Sequence, residues 1–270
     1  MAGELITSFD GTKLYLNRET SEGDRAVLVV VHGLCEHQGR YDYFAERLHE
    51  AGIGTYRFDH RGHGRSEGDV PHLDAYTELL DDTNVVVGLA CRENPGVPVF
   101  VYGHSMGGFT VALWGVRYPD EPVAGIICNG GCTFDTLGTM KGVPRGEDPH
   151  ARIANELGDG VCSVKEVRDW YLEDPLNAME YTYGLCYAMQ DGLAWFAEHA
   201  SEFAYPVLVT HGELDSLVGQ QDSRILFDTV ASADKQLKIY GNLYHETINE
   251  YCRDEVIDDC VAWMAHRIDG

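Results

Sequence analysis

Short, almost unbroken apolar runs alternate with helical patterns along most of this chain, and that alternation restricts the fold more than any other feature. The runs are "RAVLVVVHG" (25–33), "IGTYRFD" (53–59), "VPVFVYG" (97–103), "VAGIICNG" (123–130), "PVLVTHG" (206–212) and "KQLKIYG" (235–241). A run this short, rich in β-branched residues and closed by glycine or a polar turn, predicts a strand buried on both faces. Helical patterns fall between them, over 41–51 closed by Gly52, over 73–93, over 106–118 ending before Pro119, over 220–230 and over 250–267. A hairpin, 5–9 and 13–17 about an Asp10-Gly11 turn, precedes the first run. Strands alternating with helices imply an α/β fold with a mainly parallel, doubly wound sheet.

The alternation lapses once. Residues 132 to about 203 hold helical patterns and loops but no clear strand, so they read as a single helical insertion after the sixth strand. The expected organisation is a core of residues 1–131 and 204–270 with an insertion over 132–203. A chain of 270 residues is long enough for one such domain.

Charge narrows the partners. With 44 acidic against 20 basic residues the net charge is −24, which excludes a basic face for nucleic acid and would repel an anionic bilayer. The eight cysteines form no C-x-x-C pair and lie outside zinc-ligand spacing with histidine, so free, mostly buried thiols are expected and no metal site. No basic, apolar leader stands in "MAGELITSFDG", and no apolar run approaches a membrane span, so a cytoplasmic protein without stable membrane insertion is expected.

In an open α/β sheet, ligands bind beyond the carboxyl ends of the strands. Three reactive side chains follow strands in the order serine, aspartate, histidine: Ser105, Asp215 and His245. A serine hydroxyl is a weak nucleophile and needs a base that works near neutral pH. Histidine supplies it, and a carboxylate fixes the imidazole tautomer and stabilises its cation. Ser105 lies in Gly103-His104-Ser105-Met106-Gly107, a G-x-S-x-G between a strand and a helix, where small neighbours permit the sharp turn that exposes the hydroxyl. The Met106 amide then faces a developing oxyanion, and the Leu34 amide, in the loop after the first buried strand, is the candidate second donor. His211, His60, His63 and His104 compete for the base, and Glu213 and Asp222 for the acid.

With those residues placed, the chain resembles the α/β-hydrolases, and among them the monoacylglycerol lipase and lysophospholipase group. The resemblance rests on "VHGLCEHQGRYDYFAERLHEAG", "FDHRGHGRSEG", "GHSMGG" and "LKIYGNLYHE" and spans the chain outside the insertion. It implies hydrolysis of single-chain acyl esters through an acyl-enzyme, with no cofactor and with a small-molecule ester as partner. It also implies that residues 132–203 form a cap over the site. In that group a Glu and an Arg after the His-Gly receive the glycerol head, and Glu36 and Arg40 match them. Those two also read as an ordinary i, i+4 ion pair worth a few tenths of a kcal/mol. The chain departs from the group at Ile248, where several members carry a second histidine near the glycerol.

The insertion is rich in large side chains, among them Trp170, Tyr171, Tyr181, Tyr187, Met189, Trp195 and Phe196, and Trp170, Tyr181 and Tyr187 are the candidates to line an acyl pocket. Several tyrosines leave room for a small or aromatic, feruloyl-type acyl group. A proline-iminopeptidase-like enzyme shares fold and triad and would need an acidic cluster for a free amine, which Glu156, Asp159, Glu166, Asp169, Glu173 and Asp174 offer. A non-catalytic binding module on the same fold is the third alternative, and the intact Ser–Asp–His set argues against it. Dehalogenase and epoxide hydrolase chemistry would require an aspartate where Ser105 stands.

Overall fold

The computed structural model describes residues 3–268. In chain order the main elements are β1 (Glu4–Thr7), β2 (Lys13–Glu19), β3 (Ala26–Val31), α1 (Asp42–Glu50), β4 (Ile53–Phe58), α2 (Thr77–Glu93), β5 (Val99–His104), α3 (Met106–Arg117) and β6 (Val123–Asn129). There follow β7 (Arg152–Ala154), α4 (Lys165–Glu173), β8 (Glu180–Thr182), α5 (Tyr183–His199), β9 (Val207–Gly212), α6 (Gln220–Thr229), β10 (Lys235–Tyr240) and α7 (Arg253–Ile268).

Eight strands form one sheet in the order β1-β2-β4-β3-β5-β6-β9-β10. Only the β1–β2 and β2–β4 pairs are antiparallel, and every pair from β4 to β10 is parallel. This is the mainly parallel, doubly wound sheet that the alternation of strands and helices predicts. Its two faces are visible within one strand. Val27, Val29 and Val31 of β3 pack into one apolar core with α2 and α3, while Ala26, Leu28 and Val30 pack into the other with α1 and α7. Successive strand residues point to opposite faces, so a strand in the middle of such a sheet must be apolar throughout. α3 is likewise buried along all but its last residue.

Parallel register brings the reactive residues to one edge. Val31 pairs with Gly103, His104 with Asn129, Asn129 with Thr210 and Gly212 with Tyr240. The loops leaving β3, β5, β6, β9 and β10 therefore open at the same carboxyl-end rim.

The structure corrects three boundaries. The insertion contains a short antiparallel pair, β7 with β8, where only helices and loops were expected. Each strand has three residues, too few for an alternation to show, and a cross-strand Arg152–Glu180 ion pair of 3.0 Å flanks it. α2 starts at Thr77 and not near 73, because Glu78 Oε2 accepts the Asp74 and Ala75 N–H groups and holds that stretch as a turn. α7 starts at Arg253 and not at Glu250, whose carboxylate is occupied by Ser163 and the Tyr244 N–H. Among the described residues no helix is long and apolar enough to cross a membrane.

Candidate active site

The turn between β5 and α3 is strained where the nucleophile is expected. Ser105 has φ +57° and ψ −116°, outside the ordinary regions for a side-chain-bearing residue. The flanking glycines are sterically required. A Cβ on Gly103 would stand 2.2 Å from the Gly107 carbonyl oxygen, and one on Gly107 would stand 2.0 Å from that of Val31. Close packing of α3 against β3 and β5 thus forces the chain to reverse on Ser105 and presents its side chain at the rim.

Two amides lie idle beside it. Leu34 and Met106 are 7 % and 1 % exposed and line the same cavity as Ser105. Among the described residues neither N–H donates a hydrogen bond. Buried backbone donors are nearly always paired, so two orphans converging beside one serine call for an acceptor supplied from outside. α3 begins at Met106, and the positive end of its dipole adds to the same preference for an anion.

The acid and the base meet across 30 residues of sequence. His245 Nδ1 lies 2.6 Å from Asp215 Oδ2, and Asp215 Oδ1 accepts the Leu217 and Val218 N–H groups at 2.9 Å each. Burial alone would raise the Asp215 pKa, but His245 and His211 beside it bring the carboxyl well below the usual range. Burial likewise pushes His245 down, yet the Asp215 carboxylate outweighs it and the imidazole sits above its ordinary 6.5. With Nδ1 engaged, Nε2 is the nitrogen left for proton transfer. Among the described residues no hydrogen bond joins Ser105 Oγ to His245; such contacts are often long without substrate and tighten on binding.

The rival residues are occupied elsewhere. His211 Nε2 is 2.9 Å from the Val218 carbonyl and 3.1 Å from Asp215, while its Nδ1 is 2.7 Å from Ser223 Oγ, so both ring nitrogens are in use. His60 and His63 are buried against His32, and burial lowers their pKa values to about 3 and about 4, which keeps both rings neutral. His104 packs its ring 4.5 Å from that of His245 and hydrogen-bonds Asn129, backing the base. Asp222 accepts the N–H groups of Phe134, Asp135 and Thr136 and the Thr136 hydroxyl, and Glu213 is exposed on the surface near Asn242.

The cavity has about 550 Å³ of empty space, its open mouth included. Leu34, Met106, Leu217 and Val218 wall it from the core, and Cys132, Met140, Leu157, Val161, Tyr171 and Met189 from the insertion. Two carboxylates, Glu36 and Glu246, complete the lining. Of the residues expected to bind substrate, only Glu36 lies in this wall. Arg40 is fully buried behind it, Nη1 2.9 Å from Glu36 and 2.6 Å from Glu246, Nη2 2.9 Å from Glu246. The i, i+4 pair is therefore real, but it is a buried three-membered network and not a surface pair.

Three expected lining residues are not brought to the cavity. Trp170 stacks over the Arg40 guanidinium and faces an outer groove with Glu166, Asp169, Glu173 and Asp174. Tyr181 is held in the β7–β8 pair. Tyr187 lies on the outer face, where its hydroxyl contacts the Pro144 and Glu147 backbone and Arg145 covers its ring. Residue size marked these side chains, but orientation on α4, β8 and α5 decided their direction. Glu246 escaped notice although it directly follows His245 in "YHETINE"; asking which neighbours of the base face the site would have found it. Among the described residues no group of three or more His, Cys, Asp or Glu is arranged to hold a metal ion.

A model of the serine aminopeptidase S33 family matches residues 22–251. The chain belongs to that family. This S33 hydrolase is 35 % identical over 266 residues to the monoacylglycerol lipase of Mycolicibacterium smegmatis, covering 96 % of the chain and 95 % of the relative. It is 27 % identical over 276 residues to human monoglyceride lipase, covering 97 % and 90 %. The crystal structure of the Paleococcus ferrophilus monoacylglycerol lipase superposes with a TM-score of 0.83 at 27 % identity, over 94 % of this chain and 99 % of that one. The S33 chain is thus an enzyme, a serine hydrolase similar to monoacylglycerol lipases.

Proposed function

We propose that this serine ester hydrolase works through an acyl-enzyme on monoacylglycerols, with Ser105 as nucleophile, His245 as base and Asp215 as its orienting acid. The observation that carries the reading is the convergence of a strained serine, two unpaired buried amides and an Asp-paired histidine on one apolar cavity. Ser105 Oγ attacks the ester carbonyl while His245 Nε2 takes its proton. The Leu34 and Met106 N–H groups hold the resulting oxyanion; each donor of this kind is worth roughly 10²–10³-fold in rate. Collapse expels the alcohol, which takes the proton from His245. Water then attacks the acyl-enzyme with the same base, releasing the fatty acid and restoring Ser105.

The lining supports the substrate class. Methionine, leucine and valine side chains suit a single alkyl chain, and methionine adapts to irregular shapes. Residues 132–203 act as a cap, contributing Met140, Leu157, Val161, Tyr171 and Met189 to that wall. Glu36 and Glu246 share one guanidinium, so the polar wall carries a net negative charge, on a chain of net charge −24. That favours an uncharged, hydroxyl-bearing alcohol such as glycerol over a phosphate ester. Of the six acids named for a free-amine substrate, Glu166, Asp169, Glu173 and Asp174 line the outer groove, and Glu156 and Asp159 are likewise absent from the cavity wall.

A panel of monoacylglycerols, p-nitrophenyl and feruloyl esters, lysophospholipids and Pro-amides tests this, with turnover expected to be highest on monoacylglycerols. Turnover confined to Pro-amides would sink the ester reading, and preference for lysophospholipids would sink the uncharged head. The pH profile follows from His245. The base works when neutral, so kcat/KM falls as pH drops through its pKa, and the acid limb is expected to bend above pH 6.5 because Asp215 holds that pKa up. An acid limb bending below that value would remove Asp215 from its proposed role.

A further inference from the structure

Within the reading just given, we propose that Arg40 is a positioning residue that ties the oxyanion turn to the base loop, and not a contact for the alcohol of the substrate. Its two carboxylate partners come from the two loops that must stay in register for the reaction. Glu36 lies two residues past Leu34, and Glu246 directly follows His245. Glu36 Oε1 accepts the Gly33 N–H at 2.6 Å and the Tyr41 hydroxyl at 2.7 Å, which fixes the turn that carries Leu34 in the cavity wall. Glu246 Oε2 also accepts from Asn249 Nδ2 at 2.9 Å, which holds the base loop. One planar guanidinium then bonds both acids, with fork geometry toward Glu246.

The side chain cannot reach substrate in this arrangement. It has no exposed surface, it is absent from the cavity lining, and its charged end lies against the rings of both Trp170 and Tyr171, 4.8 Å from each centroid. Both rings belong to α4, so the same guanidinium also seats the insertion over the site. Lysine would retain the charge but not the fork, and so could not hold both loops at once.

The test compares wild type, Arg40→Lys and the near-isosteric Glu246→Gln on two esters with the same acyl chain, a 1-monoacylglycerol and its p-nitrophenyl counterpart. Positioning predicts that kcat falls by the same factor on both esters, about 10²-fold for a displacement near an ångström, with KM little changed. A loss confined to the glycerol ester, with KM raised, would make Arg40 or Glu246 a substrate contact and overturn the proposal. Unchanged kcat in both variants would also overturn it. So would loss of cooperative melting in both, since the network would then serve the fold and not the register of the loops. If wild type neither hydrolyses these esters nor takes a fluorophosphonate label, it is the catalytic reading that fails; an active wild type with unaffected variants sinks the Arg40 proposal alone.

Discussion

Replacing Ser105 by alanine is expected to lower kcat on a monoacylglycerol by about 10⁶-fold, the loss seen when a serine hydrolase of this design loses its nucleophile. Labelling by a fluorophosphonate should vanish with it. The variant should fold. Among the described residues the Ser105 hydroxyl has no hydrogen-bond partner, so its removal leaves no buried group unsatisfied. Alanine at φ +57° carries the same backbone strain as serine does. An unchanged melting temperature beside lost turnover separates chemistry from folding. Retention of full activity would show that the strained turn, the idle amides and the Asp215–His245 pair serve something else.

Asp215→Asn is expected to cost about 10⁴-fold in kcat, because an amide in that place stabilises the wrong imidazole tautomer. The carboxylate accepts at Oδ2 from His245 Nδ1, 2.6 Å away. A carboxamide NH₂ there would donate to Nδ1 and leave the proton on Nε2, the nitrogen that must accept from Ser105. A second signature separates this from mere loosening. Burial pushes His245 down and Asp215 is the principal group holding it up, so the variant's imidazole should titrate lower. The acid limb of kcat/KM then moves to lower pH while the plateau collapses. A collapse without that shift would point to disruption of the β9–α6 loop, where Asp215 also accepts the Leu217 and Val218 N–H groups. Stability should respond in the same variant. Asp215 is depressed in the folded state, so its contribution is present above its ordinary pKa of 3.8 and lost as pH falls through its folded value. The difference in urea midpoint between wild type and variant should therefore shrink in acid.

Local signals carried the fold and the position of Ser105. β3 is readable as a central strand because "AVLVVV" has no polar residue, and the structure divides those six residues between two cores. Gly103 and Gly107 are readable because only glycine tolerates backbone oxygens at 2.2 and 2.0 Å from a Cβ position. Direction of side chains within the insertion was not readable. Tyr171 and Met189 reach the cavity while Trp170 and Tyr187, one or two positions away, do not, since a helix turns neighbours to different faces. The β7–β8 pair was invisible for a related reason: three residues carry too little pattern.

Whatever depended on neighbours in sequence was therefore determined by sequence alone: the doubly wound sheet, the order of serine, aspartate and histidine, and the glycine-flanked turn. Period, glycine spacing and chain order are properties of short segments, and they survive without knowledge of packing. What depended on distant segments meeting was decided only by the tertiary structure. His211 and His245 both face Asp215, and the packing of β9, α6 and the loop after β10 engages both nitrogens of one and leaves Nε2 of the other for proton transfer. Glu36 and Arg40 read as a helix-start pair until Glu246, 206 residues from Arg40, closes on the same guanidinium. A buried charge takes its role from the partners that desolvation forces upon it, and those partners are chosen by the fold.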